Sequence, residues 1–517
     1  MILITSGAYV EGDLRSEVGE VPPAFLPIGN QPVLALQLDA LRDHFDAESI
    51  FLSLPESYAL EPADAAYVES RGVELVRVPD GLSLRASVLF AINIVGRFTE
   101  PTRILHGDTL IADLPEGLDC VVVGEANGDY SWHRTNDDPQ GALVWSGFFA
   151  FSDTRLLVRS LTTEVSFVSA VDLYAQELPL GEIEAKDWLD LGHLTTYHHA
   201  RTMITTQRAF NALSIDNGVV TKTGQPVEKI VAEAAWFQNL PISLKPHAPA
   251  LYSATRSGDG AAYQIEYLPL VPLNEVFVHG RQRLGYWRAV LRAYDEWFEK
   301  AASLAPAGVA QKARAERRFL IADKTRERLR RYAQQTGFDI NSRIILNGVS
   351  LPSLASIAED CIERSLALQP VPGLVHGDLC FSNVFFDSRA SRLRAIDPRG
   401  IGADGQHSLV GDMRYDLAKL AHSMVGLYDH VMAQRFEVSV ETAGAYRFRI
   451  PAAVGNEGLV DLFLGYHFAG FPATAARESM SDMVLLFISM LPLHADEPRR
   501  QTALMLNGVS LYERMVR

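Results

Sequence analysis

The chain has 517 residues, of which 48% are hydrophobic, 21% charged and 9% aromatic. That length exceeds one hydrophobic core and calls for about two to four domains. The composition excludes disorder and low complexity as organising principles. The net charge of −16 is unevenly spread: residues 1–200 hold 11 Lys+Arg against 31 Asp+Glu (−20), and the rest hold 36 against 32 (+4). Two domains with different chemistry follow from that asymmetry, and nucleic acid is excluded as a partner because the acidic half lacks a basic footprint. Cys120, Cys361 and Cys380 are far apart and form no CxxC pair, so neither a disulfide framework nor a zinc site is expected. The opening MILITSGAYV has no basic n-region, and the apolar run from Met483 to Leu493 is about half a bilayer span. The expectation is a cytoplasmic protein without a membrane span.

In chain order, Ile2–Thr5 reads as a strand, Ala35–Phe45 as a helix and Ser49–Leu54 as the next strand. Val73–Val78 is strand-like, Leu84–Val95 helical, and Arg103–Leu105 a short strand ending in His106-Gly107-Asp108. Such alternation implies a largely parallel sheet with flanking helices, whose ligands bind beyond the carboxyl ends of the strands. Near 200–208 the pattern changes. Ser214–Lys222 and Tyr263–Tyr267 read as strands around a helix at Pro226–Asn239, with Pro226 suited to the first helical position. From about Gly280 onward helices dominate, interrupted by one hairpin-like passage in which Val384–Phe386 turns through Asp387–Arg392 into Leu393–Ile396. The expected domains are 1–204, a small lobe at 205–275 and a large helical lobe at 276–517.

The strongest chemical signal is His376-Gly377-Asp378-Leu379-Cys380-Phe381-Ser382-Asn383, followed by Ile396-Asp397-Pro398-Arg399-Gly400. An Asp and an Asn share one loop, and a second Asp follows the next hairpin. Phosphoryl transfer needs such a set: one carboxylate for the substrate hydroxyl, and an amide oxygen with another carboxylate for Mg²⁺ on the nucleotide phosphates. These motifs resemble those of the aminoglycoside phosphotransferase and choline kinase group, over roughly residues 205–517. The resemblance implies a bilobal protein-kinase-like α+β fold that takes ATP and Mg²⁺ and phosphorylates a small hydroxylated or sugar substrate. It implies Asp378 as catalytic base, Asn383 and Asp397 as metal ligands, and His376 and Asp416 as supports of the catalytic loop. It also asks for a strand lysine and a helix glutamate around the ATP phosphates. Lys222, ending Val219-Val220-Thr221-Lys222, and Glu233 are the choices, with Lys229 and Glu228 as neighbours that could exchange roles with them. The Gly-rich phosphate loop of protein kinases is absent. Glu266 to Leu270 is the expected adenine hinge, by position. Lys312 to Arg331 holds nine Lys or Arg in twenty residues, with Lys324, Arg328 and Arg331 along one helical face. That face is either solvated or a wall for an anionic substrate such as a sugar phosphate.

Four pieces of the first 200 residues resemble sugar-phosphate nucleotidyltransferases: Leu26-Pro27-Ile28-Gly29-Asn30-Gln31-Pro32-Val33, His106-Gly107-Asp108, Gly147-Phe148-Phe149-Ala150-Phe151 and Trp188-Leu189-Asp190-Leu191-Gly192-His193. The resemblance implies a GT-A/Rossmann-like mixed sheet with flanking helices, in which Asp108 and Asp190 hold Mg²⁺. The family's GxGTR loop is missing: Gly7 to Arg15 carries acidic residues where a triphosphate would lie. Three readings stay open for this domain: nucleotidyl transfer from an NTP, binding of a nucleotide-activated sugar, and regulation of the kinase. The fusion resembles proteins of capsule and surface-polysaccharide biosynthesis. The leading expectation is therefore a kinase that phosphorylates a hydroxyl of a sugar or amino-alcohol precursor, fused to a nucleotidyltransferase-like domain of doubtful activity. A truly bifunctional enzyme and a nucleotide-sensing scaffold without catalysis are the alternatives.

Overall fold

The computed structural model describes residues 1–125, 143–204, 211–258, 260–442, 444–451 and 458–516. The chain divides into two compact units, Met1–Ile204 with His279–Arg281, and Thr205–Val278 with Gln282–Arg517. The change of pattern expected near 200–208 falls largely on residues 205–210, outside the described residues.

The first unit is built on a seven-stranded mixed sheet. Its strands are β1 (Ile2–Thr5), β2 (Ile50–Pro55), β3 (Val73–Val78), β4 (Thr102–His106), β6 (Cys120–Glu125), β7 (Leu143–Phe151) and β8 (Gly181–Glu184), in the spatial order β8-β6-β7-β4-β1-β2-β3. Every residue of β1, β2 and β4 is buried, as expected of strands covered on both faces. The pairs β1–β2, β1–β4, β2–β3 and β6–β8 are parallel, whereas β7 runs antiparallel to both β4 and β6. Helices Val33–Phe45 (α1) and Leu84–Val95 (α2) follow β1 and β3 in the chain. α2 is stopped at both ends by local chemistry: Ser83 caps the Ala86 amide, and Gly96 at φ 71° closes the C-terminus. Beside the main sheet, β5 (Thr109–Ile111) pairs antiparallel with β9 (Trp188–Asp190), setting Thr109 opposite Asp190. This small ribbon brings together two segments some eighty residues apart in sequence.

The second unit opens with a four-stranded antiparallel sheet, ordered β10 (Asn211–Asp216), β11 (Val219–Gly224), β13 (Gly260–Glu266), β12 (Leu251–Ser257). The single strand expected at Ser214–Lys222 is in fact a hairpin. Asn217 and Gly218 turn it with φ of 48° and 76°, the left-handed pair a two-residue turn requires. Helix α3 (Val227–Asn239) follows, with Pro226 at its N-cap. Ile230, Glu233, Ala234 and Phe237 stand at helical spacing and are all buried.

The rest is mainly helical: α4 (Leu284–Ser303), α5 (Ala310–Arg317), α6 (Lys324–Thr336), α7 (Leu354–Ala367), α8 (Arg414–Met424), α9 (Ala475–Met490) and α10 (Pro498–Leu511). Between α5 and α6, residues Arg318–Asp323 form a π-helical turn. The expected hairpin is present as β17 (Val384–Asp387) and β18 (Arg392–Ala395), and a short ribbon joins β16 (Pro372–Leu374) to β19 (Val410–Asp412). It is not the only interruption. Hairpins β14 (Arg343–Leu346)–β15 (Val349–Ser353) and β20 (Glu437–Thr442)–β21 (Ala445–Arg449) join through a parallel β14–β21 pair into a further four-stranded sheet. Among the described residues no helix is long and apolar enough to cross a membrane. The three cysteines are free and buried.

Candidate functional site

In the second unit, Lys222 lies on β11 directly opposite Tyr263 of β13. Its Nζ is 2.8 Å from Glu233 Oε2 on α3 and 2.8 Å from Asp397 Oδ1, which follows β18. The Tyr263 hydroxyl donates to the same Glu233 oxygen at 2.8 Å. Burial works against the Lys222 ammonium, but Asp397 and Glu233 outweigh it and hold its pKa above the ordinary value. The structure therefore brings Lys222, Glu233 and Asp397 together. Lys229 is half exposed and 3.7 Å from Glu233, while Glu228 pairs with Arg256 at 2.7 Å. Glu266, in the expected hinge, accepts from Arg394 of β18 at 2.6 Å.

The loop from His376 to Asn383 is held from several sides. Asp416, in the first turn of α8, accepts the backbone N–H of His376 at 2.7 Å and of Gly377 at 2.8 Å. Arg399 N donates to His376 O at 2.9 Å, and Ile396 N donates to Asn383 O at 2.9 Å. Trp236 of α3 donates its indole N–H to Val375 O at 3.0 Å and meets the His376 ring edge-on at 5.4 Å. His376 is fully buried; burial lowers its pKa to about 4, and its Nδ1 accepts from Asp378 N at 3.3 Å, so it serves as a neutral acceptor. The asparagine Nδ2 of Asn383 donates to both the backbone oxygen and Oδ2 of Asp378, each at 2.9 Å.

The carboxylate of Asp378 is 41% exposed, open enough to meet a ligand, and its Oδ1 is 2.8 Å from Lys419 Nζ. Burial of its surroundings would raise its pKa, but Lys419 and the Asn383 amide override this and hold it at about 2. Lys419 had no place in the sequence reading. The available signal was its position three residues beyond Asp416 on one helix, which puts both on one face.

Gly400 explains its own identity. Its φ is 64°, and a Cβ there would lie 2.1 Å from Ala232 O, so the backbone after Asp397 runs against α3. That contact sets Asp397 beside the helix that carries Glu233.

A divalent cation has hard donors here. Among the described residues, neither Asn383 Oδ1 nor Asp397 Oδ2 takes a hydrogen bond. One carboxylate and one amide oxygen are too few for an all-protein cage, and they suit a Mg²⁺ ion that arrives with nucleotide phosphates.

The basic run is split by the fold. Arg317 is fully buried between Asp412 and Asp482, each at 3.0 Å, and Arg326 pairs with Glu359 at 2.5 Å. Lys324 and Arg328 are half-buried and Arg331 is exposed, so the three are not equivalent.

In the first unit, Asp108 follows β4 and Asp190 ends β9. A Cβ on Gly192 would lie 2.7 Å from Asp108 Oδ2 and 3.2 Å from Asp190 Oδ1, so the two carboxylates face one point. Asp190 is oriented by Gly192 N at 2.9 Å and the Thr196 hydroxyl at 2.7 Å. Burial first and the Asp190 charge second push Asp108 up to about 6. Both line a cavity of about 200 Å³ with His106, Trp145, Trp188 and His193. That donor pair fits a divalent cation. Arg15, the one basic residue from Gly7 to Arg15, lies not in a loop but on the short helix Gly12–Val18, where it is engaged by Glu20.

Residues 219–449 match the phosphotransferase enzyme family. No curated protein matches the chain. Among solved structures, the chain is similar to a thermostable mutant of the aminoglycoside phosphotransferase APH(4)-Ia in ternary complex with AMP-PNP and hygromycin B. The identity is 13%, over 60% of this chain and 93% of that one, with a TM-score of 0.38. It is also similar to a putative glucose-1-phosphate thymidylyltransferase from Bacillus anthracis, at 12% identity over 40% of this chain and 97% of that one, TM-score 0.32. HddC from Yersinia pseudotuberculosis, complexed with GMP-PN, is 16% identical over 40% of this chain and 99% of its own, TM-score 0.31.

Proposed function

We propose that the second unit is an ATP- and Mg²⁺-dependent kinase that phosphorylates a hydroxyl of a small molecule. The observation that carries this reading is the junction of Lys222, Glu233 and Asp397 within 2.8 Å contacts. Asp378 stands partly exposed in the same phosphotransferase-family segment. Lys222, kept charged and aimed by Glu233, binds nucleotide phosphates. Asp397 and Asn383 hold Mg²⁺, which neutralises charge on those phosphates when bound. Asp378 accepts a hydrogen bond from the acceptor hydroxyl and points its oxygen at the γ-phosphorus. A new acceptor O–P bond forms as the bond to ADP breaks, and the hydroxyl proton passes to Asp378. A carboxylate held at about 2 is a weak base, so orientation is its larger contribution and the proton moves late. His376 and Asp416 keep the loop in place. Asp378→Ala is expected to lower kcat by about 10²–10⁴-fold with ATP binding retained, measured by ADP production and calorimetry. Turnover near the wild-type rate would sink the assignment.

A second reading concerns the first unit and rests on the facing carboxylates of Asp108 and Asp190. They hold a divalent cation against a nucleotide or nucleotide-activated sugar in the adjoining cavity. The fusion then pairs a kinase that makes a phosphorylated sugar with a unit that holds a nucleotide or nucleotide-activated sugar, a combination suited to surface-polysaccharide precursors.

A further inference from the structure

Around Tyr415, on α8, the second unit gathers four cations. Arg399 lies over the Tyr415 ring at 5.7 Å and Lys419 at 5.9 Å. Arg328 of α6 is within electrostatic reach of Tyr415 and donates to Ser489 O at 3.2 Å. Lys324, one turn earlier on α6, is within electrostatic reach of Arg328, Arg399, Lys419 and Asp378. Three carboxylates answer them. Lys419 is taken by Asp378 at 2.8 Å, Arg399 meets Glu316 at 3.4 Å, and Asp416 faces Arg399 while binding the loop amides. The Lys324 ammonium has no hydrogen bond or ion pair among the described residues. Glu327 and Arg331, which also act on Arg328, offset each other, so the set is one positive charge in excess, and the partly exposed Asp378 is among the groups that act on Lys324.

A half-buried ammonium repelled by three neighbouring cations either gives up its proton or is kept charged by an anion that joins it. We infer that the acceptor carries an anionic group, phosphate or carboxylate, which Lys324 and Arg328 receive while its hydroxyl lies at Asp378. The inference rests on the kinase reading of this site. An acceptor anchored in this way has its hydroxyl placed by two fixed charges, which is how binding energy remote from the reacting atoms is turned into orientation. In agreement, burial and then the charges of Arg328, Arg399 and Lys419 lower the pKa of Lys324 to about 7, leaving a nucleophilic amine at neutral pH.

That reactivity supplies a test that needs no known acceptor. The full-length protein, saturated with MgADP, is acylated with acetic anhydride at pH 8, and modification of Lys324 is read by peptide mass against exposed Lys245. Millimolar inorganic phosphate or acetate is compared with chloride at equal ionic strength. The expected result is that phosphate or acetate slows acylation of Lys324 several-fold relative to Lys245. Whichever of the two protects identifies the anionic group. Equal rates in all three salts, or a Lys324 that does not react, would overturn the inference. The kinase reading is checked separately: if Asp397→Ala retains Mg²⁺-dependent ADP binding by calorimetry, that reading fails whatever Lys324 does.

Discussion

Asp378 and Lys419 form the pair on which the chemistry of the second unit turns, and their coupling has a measurable consequence. Lys419 is the largest influence holding Asp378 at about 2 against burial. The carboxylate must be ionised to orient a hydroxyl, so activity falls as pH drops through its pKa. In the wild type that limb lies below the working range. Removing the ammonium in Lys419→Met leaves burial opposed only by the weaker influences of His376 and the Asn383 amide, and raises the pKa. The acid limb of kcat/KM is then expected to rise into the region of about pH 4–6, with a lower plateau. An unchanged pH–rate profile would show that Lys419 only packs against the loop. Lys324 also has a lowered pKa, through burial first and then Arg328, Arg399 and Lys419. It is expected to acylate with a midpoint near its pKa of about 7, whereas exposed lysines become reactive only toward about 10.

At the scale of elements, α3 shows what was legible in the sequence and what was not. The helix and the strand lysine before it could be read from periodicity and β-branched residues. Glu233 is the expected partner with Glu228 as its alternative, and the spacing decides between them. Glu233 shares the buried face of Ile230, Ala234 and Phe237, and only an inward carboxylate can meet a buried lysine. The Asn217-Gly218 turn is an equally readable hairpin signal inside the expected strand Ser214–Lys222. Likewise, the β14–β15 hairpin turns on Asn347-Gly348, with φ of 51° and 81°, a signal the sequence carries, but the four-stranded sheet it joins leaves no local trace. Its parallel β14–β21 pairing joins segments about a hundred residues apart, which no local pattern records. Lys324 and Lys419 belong to the same class: their meeting near Asp378 depends on how α6 and α8 pack. Close approach of the chain after Asp397 to α3 is also non-local, and Gly400 tests it. Gly400→Ala places a methyl against Ala232 O in a left-handed backbone, expected to cost about 2–4 kcal/mol. Because the strain falls on the helix that carries Glu233, KM for ATP should rise together with a lower Tm by circular dichroism. A lower Tm with unchanged KM would separate the packing of α3 from nucleotide binding.

Across the whole molecule, the charge asymmetry falls along the division into two units and separates two kinds of site. The second unit sets its carboxylates among lysines and arginines, so each anion at the cleft has a counter-charge. The first unit sets Asp108 and Asp190 face to face, with Arg15 already engaged by Glu20. Stabilising the charge that develops on a transferring phosphoryl group needs fixed donors or cations, and loss of one such partner costs about 10²–10³-fold in rate. A diphosphate already neutralised by a divalent ion makes a smaller demand than a reacting triphosphate. The expected outcome is therefore binding without nucleotidyl transfer. A nucleotide-activated sugar should raise the Tm of the first unit's transition in the presence of Mg²⁺ but not EDTA. Asp108→Asn should remove that rise, since one of the two facing carboxylates is then neutral. Pyrophosphate release from any NTP with a sugar phosphate should stay at background. If release is observed and Asp108→Asn abolishes it, the first unit is a catalyst and the protein is bifunctional, with its cation supplied by residues other than Arg15.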